Sequence, residues 1–173
     1  IYLFEEGLVR LATVPYSTSK SSLKQRFVHL TNFSVNKKSD AYVKNTGQEA
    51  EPVQSKLNLT QLAAEFERQG ADFNETFERI KDVLIKTVLS VESPIVTAMG
   101  STKHKNACFE VYGFDIIIDA NFKPWLLEVN VSPSLSSSSP LDKYIKTLLL
   151  SDSFYLLGMR LFDRKQLEKQ KAL

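Results

Sequence analysis

The chain has 173 residues, 43% of them hydrophobic, and a formal net charge of +2, a composition that suits a soluble protein with one buried core. No apolar run approaches the roughly 20 residues needed to span a bilayer, and no signal-peptide pattern opens the sequence, so no membrane partner is expected. The single cysteine, Cys108, excludes an intrachain disulfide and fits a reducing compartment; its expected role is packing.

The sequence starts directly on strand-like Ile1-Tyr2-Leu3-Phe4 with no Met, which suggests an excised domain. Ile1 to Pro15 reads as two strands around the turn Glu5-Glu6-Gly7, followed by a polar loop from Ser17 to Ser22. Phe27 to Val35 is strand-like or irregular, with Phe27, Leu30 and Phe33 as packing residues. From Asn36 to Ser55 the composition turns polar and includes Gly47 and Pro52, the pattern of a mobile surface loop. Thr60 to Gln69 is expected to be a helix, with Leu59, Leu62, Ala63 and Phe66 on one side and Gly70 as its stop. Asp72-x-x-Glu75 resembles a capping box for a second helix, in which Phe77, Ile80, Leu84, Val88 and Val91 form a core-facing stripe. Pro94 is expected to open another short helix, and Gly100 to Asn106 to form a polar loop. A hairpin follows, then a serine-rich loop from Ser132 to Pro140. A helix from Leu141 to Leu157 comes next, with Ser139 as cap and Pro140 in its first turn. After Gly158, Leu161 to Leu173 reads as a basic helix. The order is mixed α and β with antiparallel neighbours, so the class is α+β.

Charge is unevenly placed. Arg10 to Lys44 holds seven basic residues against one acid, and Arg160 to Leu173 holds five against two. Such patches favour an anionic partner. Nucleotide phosphates and acidic polypeptide tails both qualify, whereas no stacking-aromatic signature of an RNA module is present, so no nucleic-acid partner is expected.

The hairpin carries the chemistry. Tyr112 to Asp119 and Pro124 to Val131 are apolar, β-branched runs on either side of the turn-like Asp119-Ala120-Asn121-Phe122-Lys123. With Asn121-Phe122 as the turn centre, Asp115 falls opposite Glu128, and Asn130 shares that face because side chains alternate with period 2. Two carboxylates and an amide oxygen then converge among Ile116, Ile117, Ile118, Leu126 and Leu127. Buried carboxylates ask for a compensating cation, and oxygen ligands suit Mg²⁺, which completes its shell with water and phosphate oxygens. An antiparallel sheet with one solvated face would show the same acidic pair.

Asp115-x12-Glu128-x-Asn130 followed by Ser132-Pro133-Ser134-Leu135 resembles the metal-binding segment of the tubulin tyrosine ligase-like family. The likeness extends to Tyr2–Ala12 (YLFEEGLVRLA), His29–Lys38 (HLTNFSVNKK), Ile80–Thr87 (IKDVLIKT) and Lys123–Leu135 (KPWLLEVNVSPSL), and the glutamylase branches are the most similar. The resemblance implies the C-terminal portion of an ATP-grasp fold, an antiparallel sheet with flanking helices, over residues 1–158. Residues 159–173 would be a basic C-terminal extension. The family's lysine-bearing strand and adenine hinge would precede the first residue, so half of the nucleotide clamp is absent from this chain.

By the same resemblance Asp115, Glu128 and Asn130 are Mg²⁺ ligands, and Thr31 and Asn32 contact ATP through a hydroxyl and an amide. Read alone, Thr-Asn is an ordinary turn. Arg10 matches the catalytic arginine that grips the amino-acid substrate, and a guanidinium can do so bidentately. Phe33 and Ser34 fall where glutamylases have Tyr-Ser, and Phe33 lacks the phenol hydroxyl. Lys56 matches a lysine that contacts glutamate, and Lys146 is a further substrate cation. His29, between apolar neighbours, is read as structural.

The activity implied is that of a tubulin polyglutamylase. It would use Mg²⁺ and ATP to phosphorylate a carboxylate, so that the amine of L-glutamate displaces phosphate, with catalysis resting on positioning and charge neutralisation. Its partners would be microtubules and the acidic tails of tubulin. Its place would be the cytoplasm and cytoskeleton, with cilium, axoneme or basal body as narrower sites. The alternatives are a non-catalytic microtubule-binding fragment and a family ligase that adds glycine or tyrosine; Lys56 is the residue expected to discriminate, because glutamate brings an extra carboxylate.

Overall fold

The computed structural model describes residues 1–44, 55–100, 108–158 and 168. The expected basic helix and C-terminal extension, most of the polar loop after Asn36, and most of the loop after Gly100 lie outside the described residues. The chain divides into two compact units, one of residues 1–56 with 137–173 and one of residues 57–136. Helices and antiparallel strands make it an α+β protein.

In the first unit only one strand forms before Pro15: β1 (Leu8–Arg10). The expected partner strand at Ile1 to Phe4 is absent, and Ile1 and Tyr2 are exposed. Instead β1 meets β2 (Lys56–Asn58), with the Leu11 N–H donating to the Ser55 carbonyl at 3.0 Å. The segment expected as strand-like or irregular is two single-turn helices, α1 (Arg26–His29) and α2 (Phe33–Asn36). Asn36 explains this departure. Its side chain is 1% exposed; its oxygen accepts from the Thr13 N–H and hydroxyl, and its amide nitrogen donates to the Leu30 and Asn32 carbonyls. A fully satisfied buried amide is worth more than a strand whose edges have no partner, because each buried polar group must be paired. His29 is structural: its Nε2 donates to the Ser22 carbonyl at 3.0 Å, and its ring meets Tyr16 edge to face. The unit closes with α5 (Pro140–Leu156), which starts on the Ser139 cap as expected and buries Leu141, Asp142 and Ile145.

The second unit begins with α3 (Leu59–Arg68). Its capping box is Asn58 with Gln61, each side chain taking the other's backbone N–H. Gly70 ends it at φ +73°, a left-handed conformation for which glycine is suited. At Asp72 the side chain caps Asn74. From there α4 runs unbroken from Phe73 to Met99, so Pro94 lies inside it and does not open a new helix. The last turns of α4 are exposed, where the lost backbone bond is open to water, and the Thr97 hydroxyl donates to the Ser93 carbonyl beside it. Of the expected core stripe, Phe77, Ile80, Leu84 and Val88 are half-buried, whereas Val91 is exposed.

β3 (Tyr112–Ile118) and β4 (Pro124–Val131) form an antiparallel hairpin. Its tip is fixed by Asp119, whose carboxylate accepts from the N–H groups of Asn121 and Lys123 and from the Trp125 indole. The indole bond above all, then the two N–H bonds, holds the Asp119 carboxyl below the usual carboxylate range. Phe122 turns left-handed at φ +56°. Its ring lies 4.8 Å from that of Phe66, which in turn meets Phe73, and its carbonyl accepts the Thr76 hydroxyl. Cys108 is exposed and not packed beside the hairpin.

Candidate functional site

The hairpin register places Asp115 opposite Glu128 and Gly113 opposite Asn130. Directly opposed residues share a face, so the three oxygen-bearing side chains lie together. The route to this register differs from the sequence expectation. Ile118 pairs with Pro124, Ile117 with Trp125 and Ile116 with Leu126; the count then shifts by one, and Asp115 pairs with Glu128. Leu127 is therefore the extra residue of a β-bulge. A regular continuation from the tip would oppose Asp115 with Leu127 and send Glu128 to the other face.

The surroundings also differ from expectation. Asp115 is half-buried and Glu128 is exposed, so the carboxylates are not enclosed by apolar neighbours. Their convergence is what supports a cation site. The Asn130 amide nitrogen lies 3.3 Å from Asp115 Oδ2 and 3.3 Å from Glu128 Oε1, donating to both. One point thus lies close to both carboxylates, held by a neutral donor. Rotating the amide exchanges its nitrogen for its oxygen, which turns the trio into three oxygen donors. Closing to the Mg²⁺–oxygen distance of about 2.0–2.1 Å takes a contraction of about an ångström, within the reach of side-chain torsions. The residues fit a small, hard cation.

Gly113 makes room for this face. A Cβ there would stand 3.0 Å from the Pro133 Cβ and 3.6 Å from the Asn130 Cβ. Beyond Asn130 the chain turns sharply, with Ser132 at φ +57°. Sequence reading missed Gly113; its signal was a glycine inside an apolar strand, which marks close approach by another part of the chain.

The residues matched to nucleotide and amino acid belong to the other unit. Arg10 ends β1 and is exposed, as are Thr31 and Asn32 between α1 and α2. The Asn32 carbonyl accepts from Val35 and Asn36, while its side chain makes no capping bond. Ser34 is exposed on α2, and Lys146 is half-buried on α5, one turn beyond Asp142.

Phe33 and Lys56 line a cavity of about 170 Å³ together with Lys37, Tyr42, Lys44 and Ser138. The Phe33 ring is a wall for two ammonium groups: Lys37 Nζ lies 5.4 Å and Lys56 Nζ 4.8 Å from its centre. Ser55 fixes the strand beneath, through its hydroxyl to the Val43 N–H and its carbonyl to Leu11.

Lys56 is engaged by the protein itself. Its Nζ donates to both oxygens of Asp142, at 2.9 and 2.8 Å, and to the Ser138 hydroxyl at 3.1 Å. The two side chains are only 7% and 5% exposed. An ammonium has three donors, and all three are used. Asp142 also accepts from the Ser138 N–H and hydroxyl. Burial would raise the Asp142 carboxyl, but the bonds from Lys56 and Ser138 outweigh it and hold the group below its usual range. Burial and the Asp142 charge together raise the Tyr42 phenol, keeping it a neutral donor. Asp142 was not among the residues singled out from sequence. Its signal was Ser139-Pro140-Leu141-Asp142, a capping-box spacing whose acid is diverted from the cap to a lysine.

The hairpin brings two carboxylates and an amide to one face, and a separate cavity is lined by lysines. The chain belongs to the tubulin-tyrosine ligase family, whose model matches residues 1–166. Among similar proteins, human tubulin polyglutamylase TTLL5 is 43% identical over 167 residues, which is 96% of this chain and 13% of the relative. Human tubulin monoglutamylase TTLL4 is 46% identical over 160 residues, 91% of this chain and 13% of the relative. Tubulin polyglutamylase ttll-5 of Caenorhabditis elegans is 43% identical over 167 residues, 95% of this chain and 23% of the relative. The chain therefore spans between about an eighth and a quarter of the length of these relatives.

Proposed function

We propose that this chain is the C-terminal part of an ATP-grasp ligase that attaches L-glutamate to glutamate side chains of tubulin tails, consuming ATP. The observation that carries the reading is the single hairpin face shared by Asp115, Glu128 and Asn130, in a chain of this family. Relatives named tubulin polyglutamylase and tubulin monoglutamylase support the choice of substrate.

In this reading Asp115, Glu128 and Asn130 hold Mg²⁺, which when bound neutralises charge on the phosphate oxygens. Thr31 and Asn32 present an uncharged hydroxyl and amide to the nucleotide. Arg10 holds a carboxylate of the amino acid in a bidentate grip, and Lys146 adds a second cation. Phe33 forms a wall of the amino-acid pocket, with Ser34 at its approach. Orientation of acceptor carboxylate, nucleotide and amine is the main contribution of the protein to such a transfer. The partner is then the acidic microtubule surface, and the location is the cytoskeleton, in the cytoplasm or the cilium. Among the described residues no helix is long and apolar enough to cross a membrane.

A second reading, addition of glycine or tyrosine, draws support from one observation: the donors of Lys56 are all taken by Asp142 and Ser138. The test is made on the full-length protein that carries this chain, incubated with microtubules, Mg·ATP and isotope-labelled glutamate, glycine or tyrosine in separate reactions. Glutamate-sized mass increments on tubulin tails, lost in Glu128→Gln, are the expected result. Increments of another amino acid, or microtubule binding with no increment at all, refute the reading.

A further inference from the structure

Among the described residues two that are not glycine turn left-handed, Phe122 at φ +56° and Ser132 at φ +57°, and they bracket β4, which carries Glu128 and Asn130. A left-handed backbone is unfavourable for a residue with a Cβ and persists only where its surroundings impose it. Phe122 is held by the Phe66 ring and the Thr76 hydroxyl. Ser132 has no such anchor in its own side chain, whose hydroxyl donates to Glu110 at a long 3.5 Å on the exposed surface. The constraint is Pro133, which the turn brings back against Gly113: a Cβ on that glycine would stand 3.0 Å from the Pro133 Cβ. Gly113 is the partner of Asn130, so the turn locks onto the strand pair at the residue that bears the amide.

The two ends of β4 impose different registers. From the tip, Ile118–Pro124, Ile117–Trp125 and Ile116–Leu126 pair, a count that continued regularly would oppose Asp115 with Leu127. From the far end, Tyr112–Val131, Gly113–Asn130 and Phe114–Val129 pair, a count that opposes Asp115 with Glu128. Seven residues of β3 therefore face eight of β4, and Leu127 is the one left over. Glu128 and Asn130 both follow the far-end count. A slip of one residue into the count of the tip would send both to the opposite face. We infer that Ser132 is a positioning residue for the cation face: its left-handed turn, with Pro133 seated on Gly113, locks the far end of β4 against that slip. The turn does this, and the hydroxyl does not. The inference rests on the reading of the face as the cation site of the ligase and adds a residue that holds it without touching a ligand.

The experiment measures Mg·ATP binding to the full-length protein by calorimetry, with ATP in EDTA as the metal-free reference. Ser132→Val puts a β-branched residue where φ must be positive. It is expected to weaken Mg·ATP by at least about tenfold and metal-free ATP by less than about threefold. Ser132→Gly loses the hydroxyl but adopts the turn freely, and both affinities are expected to stay within about threefold of wild type. Deleting Leu127 makes the two counts coincide. In that background Ser132→Val is expected to bind Mg·ATP within about threefold of the deletion alone. A residue that served only the stability of the fold would not be rescued by a deletion elsewhere in the strand. Ser132→Val with wild-type Mg·ATP affinity, or with the same loss whether or not Leu127 is present, overturns the inference; so does a loss in Ser132→Gly equal to that in Ser132→Val. Glu128→Gln separates the inference from the reading beneath it. If Glu128→Gln weakens Mg·ATP and Ser132→Val does not, only the inference falls; if neither does, the cation reading falls with it. If Ser132→Val does not fold, Pro133→Gly, which takes the wedge off Gly113, is judged by the same loss and the same rescue.

Discussion

Breaking the Lys56–Asp142 pair from one side should destabilise the protein far more than removing both partners. In Lys56→Ala, Asp142 keeps the Ser138 N–H and hydroxyl but loses an ammonium that contacts both of its oxygens. With the two side chains 7% and 5% exposed, water cannot easily replace the lost partner. An orphaned buried charge costs about 3–5 kcal/mol, and the surviving Ser138 bonds place Lys56→Ala near the lower figure. For a unit of fewer than 100 residues each kcal/mol moves the midpoint by about 4–8 °C, so the expected fall is about 12–24 °C. Lys56→Met with Asp142→Leu replaces ions by apolar groups of similar reach and should recover most of it, since such swaps are often neutral. The assay is scanning calorimetry on the full-length protein, following the transition that Asp142→Ala also shifts. A double variant whose loss equals the sum of the single losses would show no coupling and refute the reasoning.

Acid should weaken the same pair: a carboxyl held below its usual range in the fold contributes stability that is complete above the unfolded value of about 3.9 and is lost as pH falls through the folded value. The stability gap between wild type and Lys56→Ala is therefore expected to start narrowing as pH falls below about 4 and to close only below the folded value in urea titrations, and a gap that does not narrow contradicts the ion-pair account. Deleting Leu127 removes the bulge but leaves Asp115 opposite Glu128, so Mg·ATP affinity should change by no more than about threefold. Deleting Val129 moves Asn130 to the opposite face and should cost at least about tenfold; calorimetric titration separates the two. Gly113→Ala drives a Cβ to 3.0 Å from a Pro133 carbon that belongs to a ring and cannot swing aside. A loss of about 1–3 kcal/mol is expected from denaturant melts, and a neutral result would mean that the Pro133 loop yields freely.

What could be read in advance was whatever depended on neighbours in the chain. The periodicity of Leu59 to Phe66 and the stop at Gly70 give α3, and Ser139-Pro140 gives the start of α5. What escaped depended on remote partners. Asn36 sits in a polar stretch that reads as loop, yet its side chain links Thr13 to Leu30 and Asn32 and holds two helical turns together. Lys56 reads as a free cation because its partner lies 86 residues away on α5. Pro94 reads as a helix start because proline favours that position, but an exposed helix can carry the ring on its wet side. The likeness to the family located the candidate residues; it could not say which cations are already spent within the fold.

The hairpin shows how a correct pairing can rest on two departures that cancel. Centring the turn on Asn121-Phe122 opposes Asp115 with Glu128 by simple counting. In the structure the turn centres on Asn121 alone, because Asp119 pairs with Lys123 across it. That offset would misalign the two strands by one residue, and the bulge at Leu127 takes it back. The tip adopts its odd length for reasons that lie outside the hairpin. Phe122 must turn left-handed to bring its ring onto Phe66 and its carbonyl to the Thr76 hydroxyl. A tip anchored this way fixes the phase of β4 at Pro124, where Trp125 and Leu126 follow in regular alternation. Left uncorrected, that phase would put Glu128 and Asn130 behind the sheet and Leu127 beside Asp115. The face that gathers the two carboxylates and the amide is thus set as much by Phe122 against Phe66 and Leu127 in the bulge as by the three side chains themselves.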